Sequence, residues 1–227
     1  AFWWRGEFSD AFEEGLYSRI DRLMFDSETW AAPRNQFLRL LSAQNESSSP
    51  FVMHDLAFTR MNAIRNAVAN AFDRPAVAQQ LGSLSEISLR YAAGYHMSAV
   101  YLAAWLSIRL GAEIDFSQSK EGRYGFSGAR SGVPTSFSIS LDPLAEDRVG
   151  TVEVDFQLKD ARVEISRCQT RDFIRTLTHL EDCPTAEDWL PAKKLTDVTL
   201  VKDVLNRAGR NRTFGQILPR LQELLTV

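Results

Sequence analysis

"VGTVEVDFQLKDARVEISRCQT", residues 149–170, alternates apolar and polar side chains on either side of Lys159-Asp160. Alternation with a period of two marks strands that bury one face, and a turn-prone pair between two such runs makes a tight hairpin. The same texture runs through "RYGFSG" (123–128), "TSFSISLD" (135–142) and "DFIRTLTHL" (172–180). Together they predict an antiparallel meander. Beyond it, two helices are predicted at 197–208 and 213–225, separated by the basic "RAGRNR".

Upstream of the meander the period changes. "MSAVYLAAWLSIRLG" (97–111) belongs to an apolar helix over 95–110, and Gly111 is a natural residue to follow its last turn. Trp105 is expected in the core, because Val100, Ala103, Ala104, Leu106 and Ile108 leave it almost no polar surroundings. "EISLRYA" (86–92) reads as a strand. From 55 onward Leu56, Met61, Ile64, Val68, Ala71 and Phe72 recur at helical steps, until "DRP", where Pro75 can open a new helix. Further helices are expected at 33–44 and at 9–20, the latter capped by Ser9 or Asp10. "DRLMFDS" (21–27) and "FWW" (2–4) read as strands, and "NESSSP" (45–50) as a surface loop. The expected class is α/β or α+β. Residues 1–111 would place helices on a short, partly parallel sheet, and 112–227 would hold the antiparallel meander and two C-terminal helices.

Composition narrows the function. The chain has 227 residues, with 26 basic and 29 acidic side chains, so it lacks the basic excess of a nucleic-acid binder. A chain of this length buries roughly 70% of the surface its unfolded form exposes, enough to fold without a disulfide or metal. The apolar run at 97–111 is shorter than the about 20 residues a membrane span requires, and it contains Arg109. Two cysteines and the absence of a recognisable signal peptide fit a reducing, cytoplasmic setting. The abrupt start "AFWWRG" leads us to expect that upstream residues are missing.

The sequence carries no recognisable catalytic set. His54, His96 and His179 lie far apart, and no metal-ligand spacing occurs. Gly122, Gly125, Gly128 and Gly132 in "GRYGFSGARSG" lack phosphate-loop spacing and read as hairpin turns or bulges, although Arg123 and Arg130 leave anion binding open. Cys168 and Cys183 read as buried small residues or as a thiol switch. Trp3, Trp4 and Arg5 read as a packed strand end or as an interface, since Trp and Arg are enriched in hot spots. In "DLAFTRMNAIRNAV" (55–68), Asp55 can cap the helix or pair with Arg60. No cofactor is called for, and a binding or regulatory protein is favoured over an enzyme.

"WWRGEF", "DLAFTRMNAIR" and "YLAAWLSIRLG", in this order, resemble the OpcA family, the glucose-6-phosphate dehydrogenase assembly proteins of cyanobacteria and actinobacteria. Trp3, Trp4 and Gly6 match its W-W-x-G segment. Asp55, Leu56, Thr59, Arg60 and Arg65 match D-L-x-W-T-R-L-x-x-W-R, with Phe58, Met61 and Ile64 departing from it while staying apolar. Leu102, Trp105, Leu106, Arg109, Leu110 and Gly111 match L-x-x-W-L-x-x-R-L-G. The resemblance covers roughly residues 1–111 and is only architectural beyond. It implies a non-catalytic partner that assembles and activates glucose-6-phosphate dehydrogenase in the oxidative pentose phosphate pathway, with Trp3, Trp4, Arg5, Asp55, Thr59, Arg60 and Arg65 as candidate partner-facing residues. For the charged residues at 55–65, a purely structural role stands beside that one. The alternative function is an α/β protein or enzyme that recognises a phosphorylated small molecule through Arg60, Arg65, Arg123 or Arg130.

Overall fold

A computed structural model describes residues 1–8, 17–47, 51–128, 136–145, 152–168, 170–206 and 212–227. The chain enters through a three-stranded parallel sheet, β1 (Phe2–Trp3), β2 (Arg22–Phe25) and β3 (Val52–Asp55), in that spatial order. Helix α1 (Pro33–Glu46) connects β2 to β3, as a parallel pair requires a crossover. Its Pro33 sits at the first turn, where a missing N–H costs nothing.

Two short helices follow, α2 (Leu56–Arg60) and α3 (Asn62–Phe72), then the single turn α4 (Pro75–Ala78). The pattern from 55 to 72 therefore folds as two helices, not one. Met61, with φ −82° and ψ 0°, breaks the run between them.

Next comes β4 (Glu86–Tyr91), then α5 (His96–Leu110). Helices α6 (Asp197–Leu205) and α7 (Arg212–Leu224) end the chain, α6 packing on α2 and α7 on α5. Nearly every residue of α5 is buried, because α2, α7 and the strands on either side of it leave little of its surface open. Gly111 closes α5 in the left-handed region, φ +67°, where any other residue would be strained.

The remaining strands are β5 (Ala112–Lys120), β6 (Arg123–Gly128), β7 (Ser136–Pro143), β8 (Val152–Gln157), β9 (Ala161–Arg167), β10 (Phe173–Leu180) and β11 (Ala186–Pro191). With β4 they form an eight-stranded sheet in the order β11-β10-β9-β8-β4-β7-β6-β5. The hairpin at Lys159-Asp160 is present, closed by Leu158 N–H to the Ala161 carbonyl at 3.0 Å. The meander is not continuous, however. β4 lies between β7 and β8, parallel to the first and antiparallel to the second. Ile87, Leu89, Ile139, Val154, Phe156, Val163 and Ile165 share the buried face. Glu86, Ser88, Arg90, Ser138, Ser140 and Arg162 share the opposite one.

Strands β3, β5 and β11 carry no signal that the sequence alone reveals. β3 is four residues long and runs straight into a helix cap. β5 and β11 are the sheet's two edges, and their polar, mostly exposed side chains are what an edge needs to avoid pairing with other chains. Of the helix expected at 9–20, residues 9–16, with the Ser9 or Asp10 cap, lie outside the described residues. Arg130, Gly132, residues 48–50 of "NESSSP" and 207–211 of "RAGRNR" also lie outside them, while Asn45 and Glu46, expected in a loop, instead form the last residues of α1. Of the glycine cluster, Gly122 makes the β5–β6 turn at φ +74°. Gly125 lies against a register shift in β5, where an added Cβ would meet Gln118 Cβ at 2.7 Å. Both glycines serve the hairpin.

Candidate functional site

The charged residues of 55–65 sit where β3 ends and α2 begins, beneath α5. Asp55 is 1% exposed and caps α2: its Oδ1 accepts Ala57 N–H at 2.9 Å and Ser27 N–H at 3.2 Å. Its Oδ2 accepts the Tyr101 hydroxyl of α5 at 2.7 Å. Burial, and then the nearby Asp26 carboxylate, push its pKa up to about 7 against the pull of those hydrogen bonds. Thr59 donates its hydroxyl to the Asp55 carbonyl at 2.9 Å. One buried acid thus ties the small sheet, α2 and α5 together.

Arg60 does not pair with Asp55. Its guanidinium meets Asp26 in a two-pronged contact, 2.7 Å and 2.5 Å, and lies over the Tyr95 ring. Burial pulls this guanidinium down, and the Asp26 carboxylate more than reverses it, so Arg60 ends above its ordinary value. Next to Asp26, Glu28 accepts Met97 N–H at 3.0 Å and Ser98 N–H at 2.6 Å. A carboxylate is thereby fixed at the positive end of α5. Arg65 is 8% exposed, lies 3.7 Å above the Phe58 ring, and donates to the Phe58 carbonyl and to Asn62 Oδ1.

The remaining predicted residues lie elsewhere. Trp3 is half-buried against Met24, Leu56, Leu200 and Val204. Trp4 stacks on Phe8 and donates its indole N–H to the Glu7 carbonyl. Arg5 covers Trp3 and reaches Asp197 at 3.7 Å, its side chain 76% exposed. Of the candidate partner-facing residues, Arg5 is therefore open to solvent, while Asp55, Thr59 and Arg65 are interior.

Cys168 and Cys183 are free thiols. Cys168 N–H bonds to the Phe173 carbonyl and Cys183 N–H to that of Leu180, at opposite ends of β10. At about 3.3 Å per residue these ends are roughly 23 Å apart, far beyond the about 7 Å limit for a disulfide. A switch between these two cysteines within one chain is excluded.

Two clefts flank these elements. One, of about 640 Å³, lies between the end of α5, the start of β5 and α7. Trp105, Arg109 and Gln216 line it, together with Arg220, which bridges Glu113 and Glu223. Another, of about 280 Å³, is enclosed by the α2–α3 junction, the end of β9, and the segment from β11 into α6. Arg60, Asn62, Arg167, Lys193 and Lys194 line it. Its cations come from separate elements, so no local motif reveals the set, although the Lys193-Lys194 doublet is visible. Among the described residues no group of three or more His, Cys, Asp or Glu side chains could hold a metal ion, and no helix is long and apolar enough to cross a membrane.

An NAD binding oxidoreductase from Klebsiella pneumoniae superposes with a TM-score of 0.50 at 10% identity, covering 90% of this chain and 69% of that one. The transcriptional regulator Gal80p from Kluyveromyces lactis gives 0.49 at 11% identity, covering 94% and 66%. At such identities the likeness concerns the fold alone.

The sequence is more specific. Residues 52–218 match the OpcA-type family described as the C-terminal domain of the glucose-6-phosphate dehydrogenase subunit, and this chain belongs to that family. It is also 30% identical over 112 residues to a putative OxPP cycle protein OpcA from Synechocystis sp. (strain ATCC 27184 / PCC 6803 / Kazusa). That alignment takes in 48% of this chain and 22% of the cyanobacterial protein, so the matched stretch is under a quarter of the relative's length. The family match runs well past residue 111, through both halves of the large sheet and into α7, while the Trp3-Trp4 segment lies outside it.

Proposed function

We propose that this chain acts as a non-catalytic module that assembles with and activates glucose-6-phosphate dehydrogenase in the cytoplasmic oxidative pentose phosphate pathway. The observation that carries this reading is the family match over residues 52–218. The name of the Synechocystis relative, an OxPP cycle protein, points to the same pathway. The geometry is in keeping with it: Asp26, Asp55, Arg60 and Arg65 hold one another, or backbone groups, inside the fold instead of meeting in a cleft as acid and base. An activator of this kind works by binding the active form of its enzyme better than the inactive one, so rigidity in the module helps.

The experiment adds the chain to its cognate dehydrogenase and follows NADPH formation. We expect the rate to rise saturably with added chain, and the chain alone to turn over no sugar phosphate. Arg5→Glu should weaken the effect at unchanged thermal stability, since an exposed charge contributes little to folding. Sugar-phosphate turnover by the chain alone would overturn the non-catalytic assignment. A rate that stays flat over all concentrations of folded chain would overturn the activating role.

A further inference from the structure

We propose that the 280 Å³ cleft between the α2–α3 junction and the β11–α6 segment binds the phosphate group of a small phosphate monoester, held by Arg167, Lys194 and the side-chain amide of Asn62. None of these three residues enters the dehydrogenase reading, so the two stand or fall separately.

Charge is the first observation. The cleft is lined by Arg60, Arg167, Lys193 and Lys194 against the single carboxylate of Asp203. Arg60 is matched by Asp26, and Lys193 by Asp203 at 3.2 Å. Among the described residues neither Arg167 nor Lys194 forms an ion pair, although the Asp172 carboxylate lies near enough to Arg167 to offset part of its desolvation. Two positive charges are left, and a phosphate monoester near neutral pH carries about −1.5 to −2.

Arg167 is the more telling of the two. It is half-buried, and burial pulls its guanidinium below its ordinary value. Its Nη2 donates to the Lys193 carbonyl at 2.9 Å, and a guanidinium has five N–H donors. The others remain for a forked contact with phosphate oxygens, the geometry in which arginine excels.

An unsatisfied donor is the second observation. The Asn62 amide nitrogen is buried without an acceptor, while its oxygen is engaged by Arg65. Leaving a buried donor unmade is unfavourable, and a ligand oxygen that draws the Asn62 side chain out toward the cleft would relieve it.

The third observation is that the rim is already built. Arg167 holds the Lys193 carbonyl, and Thr199 Oγ1 holds that of Lys194 at 2.8 Å. Ala192 N–H is bonded to the Asp172 carbonyl, also at 2.8 Å. A loop fixed from three sides loses little entropy on binding. The volume, about 280 Å³, lies just below the roughly 300–1,000 Å³ of small-molecule sites, which suits a sugar phosphate and not a dinucleotide. Of the arginines singled out from the sequence for such a role, Arg60 is engaged by Asp26, Arg65 by Phe58, and Arg123 by Glu86 and Ser138, and Arg130 lies outside the described residues.

The test is calorimetric titration of the full chain with glucose 6-phosphate, inorganic phosphate and glucose. We expect saturable binding of glucose 6-phosphate, weaker binding of inorganic phosphate and none of glucose. Affinity should fall as salt is raised. Arg167→Gln should weaken binding by about ten-fold or more, the loss of a charge-assisted hydrogen bond. The exposed Lys194→Gln should weaken it in the same direction, and it carries the test should Arg167→Gln fail to fold. Arg123→Gln should bind like the wild type. No saturable binding up to about 10 mM, well above usual metabolite affinities, would overturn the proposal. So would unchanged affinity in Lys194→Gln, or inorganic phosphate bound as tightly as the ester.

Discussion

Asp55 holds Ser27, Ala57 and Tyr101 at once from a position with almost no solvent, and this sets a pH dependence with a definite sign. Its folded pKa of about 7 lies above the ordinary value of 3.8. Between those values the folded chain binds the proton and the unfolded chain releases it. The stabilisation contributed by Asp55 is therefore fully present below about 3.8 and is lost as pH rises toward 7, with a limiting slope of about 1.4 kcal/mol per pH unit. Urea unfolding of the wild type should show this fall from pH 5 to 7, and Asp55→Asn should flatten it; equal slopes would contradict the assignment. Arg60 makes a second prediction. Arg60→Ala leaves the largely buried Asp26 without its partner and should cost about 3 kcal/mol in the same assay, a value a surface arginine would not approach. Asp55 was legible as a cap because a cap is local. The Asp26–Arg60 and Asp55–Tyr101 contacts bridge 34 and 46 positions, and no spacing rule reaches that far.

Among the helices and strands, α5 is the pivot. Trp105 is 8% exposed, inside the core yet on the wall of the 640 Å³ cleft. Trp105→Ala should destabilise by about 3–5 kcal/mol, measured by denaturant midpoint. The hairpin β5–β6 supplies a contrasting case. Gly125→Ala places a methyl group against Gln118 and should cost about 1–3 kcal/mol, the usual penalty of overpacking. Helix α5, strand β4 and the strands that bury one face were legible, since burial writes a period into the sequence. The edge strands were not, because solvent lies on their open side and imposes no pattern. Strand β3 escaped for another reason: four residues are too few to establish a period.

Across the entire fold, the parallel and antiparallel sheets are joined by α5, and β4 reaches into the middle of the larger sheet. A run of hairpins can be read from turn signals, but the insertion of β4 between β7 and β8 pairs residues far apart in sequence, with Leu89 opposite both Leu141 and Val154. The family was legible from three short motifs; the second cleft was not, because its residues meet only after folding. Association with glucose-6-phosphate dehydrogenase is the property on which the proposed function depends, and the mass of a mixture decides it. Light scattering after size exclusion should show the chain and its cognate dehydrogenase eluting together, at a mass above either alone and with a fixed ratio. Two separate peaks at their individual masses, with both proteins folded and at concentrations well above those in the rate assay, would contradict it.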